Sequence, residues 1–513
     1  MQRNASPRLA PLLALLLCGL AVGPSAAQAP AALFAASPPG APPLAAMQSA
    51  LPPGTVRANQ VLLRRSVLGA LTPGQEHRIS LPLFADRVPV ARLFERHAYG
   101  ATGFVWVGEL EGVPHSEVYV SVSGDDVYVK VRAPGRKSAE VSPLGGEIYR
   151  VIETDHPEQP FEEEEALDAA ATFGSGGSGG GGGDGVDASA SETHIDVVIF
   201  YTDDARAAAG GTGAIVATAQ AAVSQANTGH ANSGTQARLR LVHTQEVAYA
   251  EGGNITNDLN ALASTTDGIM DQVHAVRDQY GADLVHLFTE STSASGSTIG
   301  LARTSGDFAV TKRSRALDLT FEHEVGHNLG MCHQLGASAS SWCTTPGYTG
   351  NAWEAIAQWV DPIFGFVICS GRAVTVMWNT AGSDNINWWS DPGNTITFSP
   401  PLACADGGNI VRPLGTSTSN NTGQIRVRRS LYADNRQAEF YVQAGAGEGN
   451  ATQSSPENDV GDVFNQWFPL TEVNPGQNAE VYISAGTYPQ AVFLNQKADL
   501  LRWGSSGSVI LGQ

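Results

Sequence analysis

Apolar and polar positions alternate over short runs between residues 61 and 155. Residues 104–108, 117–122 and 126–131 are examples, and Ser123-Gly124-Asp125 forms a hairpin-type turn between the last two. Alternation with a period of two residues is typical of strands that bury one face. The pattern therefore predicts a small β-rich domain.

A different pattern begins near residue 193, where apolar runs alternate with segments of helical periodicity. Residues 195–201, 238–242 and 283–288 predict strands. One predicted helix carries Ile215, Ala219, Ala222 and Val223 on one side, and a second, over residues 267–280, points Ile269, Val273 and Val276 inward. Strands that alternate with helices predict an α/β domain, here ending near residue 440.

The last seventy or so residues return to short strands, at residues 479–488, 491–494 and 508–511. Their spacing resembles the opening coils of a right-handed parallel β-helix, as in pectate-lyase-like proteins. One or two coils cannot bury a core alone. The segment therefore either docks on the preceding domain or belongs to a β-helix whose remaining coils have been lost.

Shifts in composition set the predicted domain boundaries. Residues 1–27 predict a signal peptide, and residues 28–160 a pro-segment that contains the β-rich domain. Residues 161–192 begin with an acidic run and continue into a stretch of Gly and Ser, which predicts a flexible linker. Residues 193–440 form the α/β domain, and residues 441–513 the β-helix-like segment.

The N-terminal residues have the pattern of a secretory signal peptide. Arg3 and Arg8 precede an apolar run over residues 9–22, and Ser25-Ala26-Ala27 offers small residues for signal peptidase. The run is too short to span a bilayer, and Cys18 lacks the small residue expected before a lipidated cysteine. We therefore expect a secreted protein with no membrane anchor.

Charge narrows the class of partners. The 513 residues include 50 acidic and 30 basic side chains, for a formal charge of −20. A surface this acidic repels phosphate backbones and anionic lipid, so nucleic acid is not expected as a partner.

As for the oligomeric state, we expect the protein to be a monomer.

Four cysteines remain once the signal peptide is removed, namely Cys332, Cys343, Cys369 and Cys404. An even number, clustered in an exported chain, predicts two disulfides, and three pairings are possible. No Cys-x-x-Cys occurs, which argues against a structural zinc site built from cysteine.

The residues that indicate chemistry lie at 323–333, which read His-Glu-Val-Gly-His-Asn-Leu-Gly-Met-Cys-His. His323 and His327 are four apart, so a helix presents both imidazoles on one face. Residues 316–321 favour a helix that enters this motif, and Gly330 can adopt the left-handed conformation that ends it. The resulting turn would bring His333 back as a third ligand. Three protein ligands leave one position open, as in a catalytic zinc site.

HExxHxxGxxH is the zinc signature of the metzincin peptidases, and the chain resembles their reprolysin-like and bacterial peptidyl-Asp members over residues 193–440. In Val374-Thr375-Val376-Met377-Trp378, Met377 is similar to the methionine that lies beneath the metal in this group. The stretches at residues 195–202, 280–285, 386–392 and 434–435 are also similar to reprolysin-like sequences, and the β-rich segment resembles their pro-domain. The fold implied is a twisted, mostly parallel sheet with an active-site helix.

Two positions depart from the family pattern. Reprolysins usually place Asp directly after the third histidine, where it stabilises the region around the methionine, whereas this chain has Gln334. Asn379 stands where astacins and serralysins have a tyrosine that ligates zinc. A further protein ligand of that kind is therefore not expected.

The resemblance implies a secreted endopeptidase that binds one Zn²⁺ through His323, His327 and His333, with Glu324 as general base, and acts on protein or peptide substrates. One alternative is a surface-binding β-helix protein with a vestigial peptidase domain, which the intact Glu324 disfavours. Another is a zinc hydrolase for a non-peptide bond. Because no cysteine lies between the signal peptide and Cys332, latency would rest on a carboxylate, on His97 or His115, or on steric cover; the pro-segment could otherwise serve only in folding.

Overall fold

A computed structural model describes residues 29–37, 51–52, 54–99, 102–155, 159–160, 193–292, 298–337, 343, 348–360, 367–381, 385–399, 408–433, 439–445, 456, 458, 460, 463, 479–488, 498–503 and 509–511. The signal peptide, the linker at 161–192, the stretch at 434–435, Cys404 and the strand expected at 491–494 lie outside the described residues. Among the residues described, no helix is long and apolar enough to cross a membrane.

The first part of the chain forms a ten-stranded sheet, called the N-terminal sheet below. Its strands lie in the order β1-β4-β5-β6-β7-β8-β9-β10-β3-β2 and pair antiparallel, except for β1 with β4. The predicted hairpin turn is confirmed, because Ser123 pairs with Asp126 across Gly124, whose φ is +58°. The strands are β1 (Ala31–Ala32), β2 (Phe34–Ala36), β3 (Thr55–Leu63), β4 (His77–Ser80), β5 (Val90–Tyr99), β6 (Gly103–Leu110), β7 (Glu117–Ser123), β8 (Asp126–Arg132), β9 (Ser138–Gly145) and β10 (Ile148–Thr154), with the short helix α1 at Arg65–Leu68.

A second sheet follows the short strand β11 (Gln159–Pro160). Its order is β13-β12-β14-β16-β15; the first four strands run parallel and β15 runs antiparallel to β16. The mixed α/β class predicted from the sequence is confirmed. The strands are β12 (Thr193–Tyr201), β13 (Ala237–Glu246), β14 (Leu284–Thr289), β15 (Gly300–Ala302) and β16 (Phe308–Lys312), and the helices α2 (Asp203–Ala209), α3 (Thr212–Ser233), α4 (Ile255–Ala263), α5 (Gln272–Gln279) and α6 (Phe321–Asn328).

The remaining strands pair in small sheets of two or three strands. A hairpin joins β17 to β18, β20 pairs with β21, and β22, β23 and β25 pair in parallel, as do β24 and β26. Tyr441 stacks on Tyr482 with their rings 4.8 Å apart, which links successive parallel strands. The elements are β17 (Glu354–Val360), β18 (Val367–Val374), β19 (Thr380–Ala381), β20 (Asp391–Phe398), β21 (Ile410–Leu414), α7 (Asn421–Ala433), β22 (Glu439–Val442), β23 (Ala479–Ser484), β24 (Gly486–Tyr488), β25 (Ala498–Trp503) and β26 (Val509–Leu511).

The helix predicted over residues 267–280 begins later than expected. It starts at Gln272, and Ile269 is 44% exposed rather than inward-facing. The Asp267 side chain accepts a hydrogen bond from the backbone N–H of Ile269, so the backbone turns locally before the helix starts. Met270, at a φ of +59°, is buried in place of Ile269.

The prediction of a helix that enters the histidine motif from residue 316 is wrong. Residues Ala316–Thr320 form an irregular, π-type turn, in which Leu319 has a φ of +69°, and α6 begins only at Phe321. The carboxylate of Asp318 is held by Lys130 of the N-terminal sheet at 2.8 Å and by Arg315 at 2.9 Å. These tertiary contacts override the local helical preference.

Candidate metal centre

The three histidines of the motif converge on one point. Nε2 of His333 lies 3.1 Å from Nε2 of His323 and 3.2 Å from Nε2 of His327. All three side chains are buried, and they form the one group of possible metal ligands found among the described residues. Burial, and then the neighbouring imidazoles, lower the pKa of His323 well below its ordinary value, which favours the neutral form that binds metal.

The local sequence explains how His333 reaches the other two. The helix α6 presents His323 and His327 one turn apart, and the chain reverses at Gly330, whose φ is +81°. The N–H of Met331 donates to the carbonyl of Gly326 at 2.8 Å, which closes the turn. The expected left-handed Gly330 is thus confirmed.

A disulfide braces the residue directly before the third histidine. Cys332 is bonded to Cys343, and its backbone N–H donates to the carbonyl of Gly350 at 2.8 Å. The prediction of disulfide bonding is confirmed for this pair, and Cys369 is also disulfide-bonded. The Cys332–Cys343 bond restricts the loop that carries His333.

Glu324 directly follows His323, the first histidine of the triad, on helix α6. It is fully buried, and neither of its carboxylate oxygens has a hydrogen-bond partner. Burial raises the pKa of this carboxyl well above its ordinary range. A buried carboxyl without a partner is costly, so Glu324 is a candidate for a functional role.

Gly300 in strand β15 lies against Glu324, and no sequence pattern indicated this contact. A β-carbon at Gly300 would lie only 2.3 Å from Oε1 of Glu324. Among the described strands, β15 pairs only with β16, so its other edge is not covered by a described strand. The carboxylate therefore lies directly against the edge strand of the sheet.

Met377 lies against the other side of α6. A β-carbon at Gly326 would be 2.3 Å from Sδ of Met377, so glycine is required for this close approach. Trp389 packs there too and is fully buried, whereas Trp378 and Trp388 are partly buried. The structure thus places Met377 beneath the histidine helix; the role given to it from the family resemblance stays a prediction.

Gln334 connects the two segments that carry the site. Its Nε2 donates to Oδ1 of Asn379 at 2.7 Å, and its Oε1 accepts from the N–H of Asn379 at 3.1 Å. Asn379 follows Met377 by two residues. The residue that departs from the reprolysin pattern therefore still ties the third histidine's segment to the methionine's segment.

The two histidines considered for latency lie elsewhere. The ring nitrogens of His97 contact Ser224 at 3.0 Å and Glu95 at 2.8 Å, so this imidazole is not available to the triad. His115 packs edge-on against Trp388 with the rings 6.4 Å apart. The proposal that His97 caps the metal is wrong.

The donor set fits a metal such as zinc. Three imidazole nitrogens converge within reach of one ion, and the buried carboxyl of Glu324, one residue after His323, has no hydrogen-bond partner. Neutral imidazoles favour Zn²⁺ and other borderline metals over Ca²⁺ or Mg²⁺.

Comparisons with known proteins agree with this arrangement. Residues 216–334 match the family model for reprolysin-like metallopeptidases of family M12B. The resemblance to reprolysin-like metallopeptidases predicted from the sequence is thereby confirmed over those residues, and the family implies a bound metal.

Relatives named peptidyl-Asp metalloendopeptidase occur in several bacteria. The one from Xanthomonas campestris pv. campestris is 28% identical over 289 residues, covering 55% of this chain and 64% of the relative. One from Stenotrophomonas maltophilia is 27% identical, covering 54% and 64%. One from Pseudomonas aeruginosa is 32% identical, covering 37% and 32%. The chain thus spans less than two thirds of the length of these relatives.

Among solved structures, the crystal structure of metalloproteinase-II from Bacteroides fragilis is 12% identical, with a TM-score of 0.38 over 63% of this chain and 90% of that chain. A TM-score this low carries no inference about fold or function.

Proposed function

We propose that this chain, with its reprolysin-like region at residues 216–334, is a secreted zinc-dependent endopeptidase that hydrolyses peptide bonds in proteins. The observation that carries the proposal is the convergence of three histidine Nε2 atoms beside the unpartnered carboxyl of Glu324. Retention of this carboxyl disfavours a vestigial peptidase domain, because a binding module gains nothing from it.

The roles follow from the positions of the side chains. His323, His327 and His333 would hold the zinc ion through their Nε2 atoms. When bound, zinc supplies Lewis acidity, which polarises the scissile carbonyl and makes water a stronger nucleophile at neutral pH. Glu324 would accept a proton from the attacking water at a carboxylate oxygen and deliver it to the leaving amine.

The edge strand β15 suggests how a peptide would be held. Gly300 places this strand against Glu324, and no described strand covers its outer edge. An extended peptide that paired with this edge would run past the carboxylate. The names of the relatives make bonds next to aspartate the first class of substrate to test.

The N-terminal sheet would serve as a pro-domain. The chain that leaves it forms β11, which pairs antiparallel with β19, three residues after Met377. This pairing supports latency by steric cover, because it runs beside the segment that follows the methionine. The disulfide between Cys332 and Cys343 supports export, since such bonds persist in oxidising compartments.

The C-terminal strands support a β-helix-like segment. β22, β23 and β25 pair in parallel register, and Tyr441 of β22 stacks on Tyr482 of β23 and contacts Trp503 of β25 edge-on. Repeated parallel pairing with stacked side chains is typical of solenoid coils.

Casein digestion tests the proposal. The wild-type chain should digest casein, lose activity with a chelator and regain it with zinc. Glu324→Gln should keep about one zinc per chain by elemental analysis yet lose roughly 10²- to 10⁴-fold in rate. His327→Ala should lose both zinc and activity.

His243→Ala is the matched control, because His243 stacks on Tyr280, away from the triad. It should keep both zinc and activity. Undiminished digestion by the Glu324→Gln variant would rule out the role proposed for this carboxyl, and chelator-resistant digestion would rule out the metal.

A further inference from the structure

The strands in the middle of the N-terminal sheet are buried on both faces. In β6, Trp106 belongs to the sheet's own core, whereas its neighbours Val105 and Val107 belong to the core that contains α3. Tyr119 and Tyr128 face α3 in the same way. An antiparallel sheet normally exposes one face to water. Because the face that carries Tyr119 and Tyr128 is buried, another element of the chain covers it.

That partner is helix α3. Sixteen of its 22 residues are buried, which is more than one face of a helix accounts for. One side packs on the parallel sheet, and the other side presents Ala and short polar residues to the N-terminal sheet. Helix α3 therefore lies between the parallel sheet and the N-terminal sheet and is covered on both sides.

Polar contacts fix how the two layers meet. The hydroxyl of Ser224 on α3 lies 2.9 Å from that of Tyr99 and 3.0 Å from Nδ1 of His97. At the next residue of the helix, Nε2 of Gln225 donates to a carboxylate oxygen of Glu117 at 3.4 Å. These bonds satisfy groups that would otherwise be buried without partners.

Buried charges add a second set of contacts, near the metal centre. Lys130, whose side chain is 2% exposed, pairs with Asp318 just before α6. Arg132 pairs with Glu117 at 3.0 Å within the N-terminal sheet and donates across the interface to the backbone carbonyl of Asn385. Glu117 in turn accepts from Nδ2 of Asn387 at 2.5 Å.

We propose that the N-terminal sheet is a tightly docked partner of the metallopeptidase region, and that it stays bound to α3 after the connecting chain is cut. The apolar contacts supply the affinity, since separation would expose the tyrosines on one side and the alanine-rich face of α3 on the other. The buried Lys130–Asp318 ion pair and the hydrogen bonds of Arg132 and Glu117 to residues 385 and 387 supply the register, because these groups meet across the interface only in this arrangement.

Cleavage of the linker alone therefore does not free the metallopeptidase region. Removal of the sheet requires its own digestion or unfolding. This inference concerns the interface and does not depend on catalytic activity.

The test uses the full chain carrying Glu324→Gln, so that it cannot digest itself. A site for a sequence-specific protease is inserted in the Gly-rich run at residues 174–185 and cut after folding. We expect both fragments to co-elute in size-exclusion chromatography at micromolar concentration and below. Elution of two separate fragments would overturn the proposal.

A pair of variants tests the ion pair. Lys130→Met should speed dissociation of the cut fragments at least tenfold relative to Lys137→Met, which removes an exposed lysine from the same sheet. Thermal unfolding of the uncut chains checks that both variants fold. Equal dissociation rates for the two folded variants would overturn the role given to Lys130.

Discussion

The Nδ1 atom of His323 lies 2.8 Å from the backbone carbonyl oxygen of Val376, the residue before Met377. Nδ1 of His327 lies 3.0 Å from the carbonyl oxygen of Met331 in the same way. An imidazole that donates from Nδ1 to a carbonyl keeps the lone pair of Nε2 for a metal. The segment around Met377 therefore fixes both the tautomer and the direction of the first histidine.

Met377→Ala should weaken metal binding as well as the fold. The substitution leaves a cavity beneath Gly326, and we expect a loss of about 2–5 kcal/mol in the free energy of unfolding. The Val376 carbonyl would then hold His323 less firmly, so zinc affinity should fall. Denaturant unfolding and zinc titration with a competing chelator measure the two effects.

Met270→Ala is the matched control for that variant. Met270 is equally buried but packs in the core on the other side of the parallel sheet. It should lose comparable stability while keeping wild-type zinc affinity. Equal zinc affinities for the folded Met377→Ala and Met270→Ala proteins would contradict the support assigned to Met377.

Gly300→Ala should impair turnover without removing the metal. The new methyl group would lie 2.3 Å from Oε1 of Glu324, so the carboxylate or the edge strand must move. We expect kcat to fall at least about tenfold, because displacement of a general base slows proton transfer, while zinc content stays unchanged. Gly252→Ala, where a β-carbon meets nothing within 4 Å, should behave as the wild type.

A Gly300→Ala enzyme with normal kcat would show that Glu324 tolerates displacement. Loss of zinc in this variant would instead mean that Gly300 supports the histidines.

Stability should fall as the pH drops below about 6.5, partly because of His286. This side chain is buried, with Nε2 2.8 Å from the Thr311 hydroxyl, and burial lowers its pKa to about 3. Between pH 6.5 and 3 the unfolded chain binds a proton there that the folded chain does not. The stabilisation is therefore present above pH 6.5 and is lost as the pH falls.

His286→Asn removes this proton uptake. Between pH 7 and pH 5.5, the fall in the free energy of unfolding should be smaller than in the wild type by about 1 kcal/mol. Denaturant unfolding of both proteins in the Glu324→Gln background measures it. His230, whose pKa burial also lowers to about 3, should keep part of the dependence in either protein. An identical pH dependence in both proteins would contradict the assignment to His286.

The sequence was most informative where chemistry restricts spacing. Helical geometry alone places His323 and His327 on one face, and Gly330 is suited to the reversal that returns His333. The buried strand at 195–201 was likewise predicted from its apolar run, because a parallel strand covered on both faces is largely apolar.

Other features followed only from contacts between distant segments. Local preference predicts a helix from residue 316, yet Lys130, nearly two hundred residues earlier, holds Asp318 in an irregular turn. Helical periodicity predicts that Ile269 faces inward, because periodicity takes no account of the local turn that the Asp267 side chain forms with the backbone. Two contacts could not be predicted from the sequence, namely Gly300 with Glu324 and Gln334 with Asn379. Each joins segments whose separation along the chain does not indicate their distance in space.

The sequence by itself therefore determined which three histidines form the candidate metal site and the class of fold that carries them. These are set by side-chain chemistry and by periodicities of two and 3.6 residues, which are local properties. The tertiary structure alone decided that α3 lies between two sheets and that a distant carbonyl orients His323. Both depend on how separate elements pack, and packing is a property of the whole folded chain.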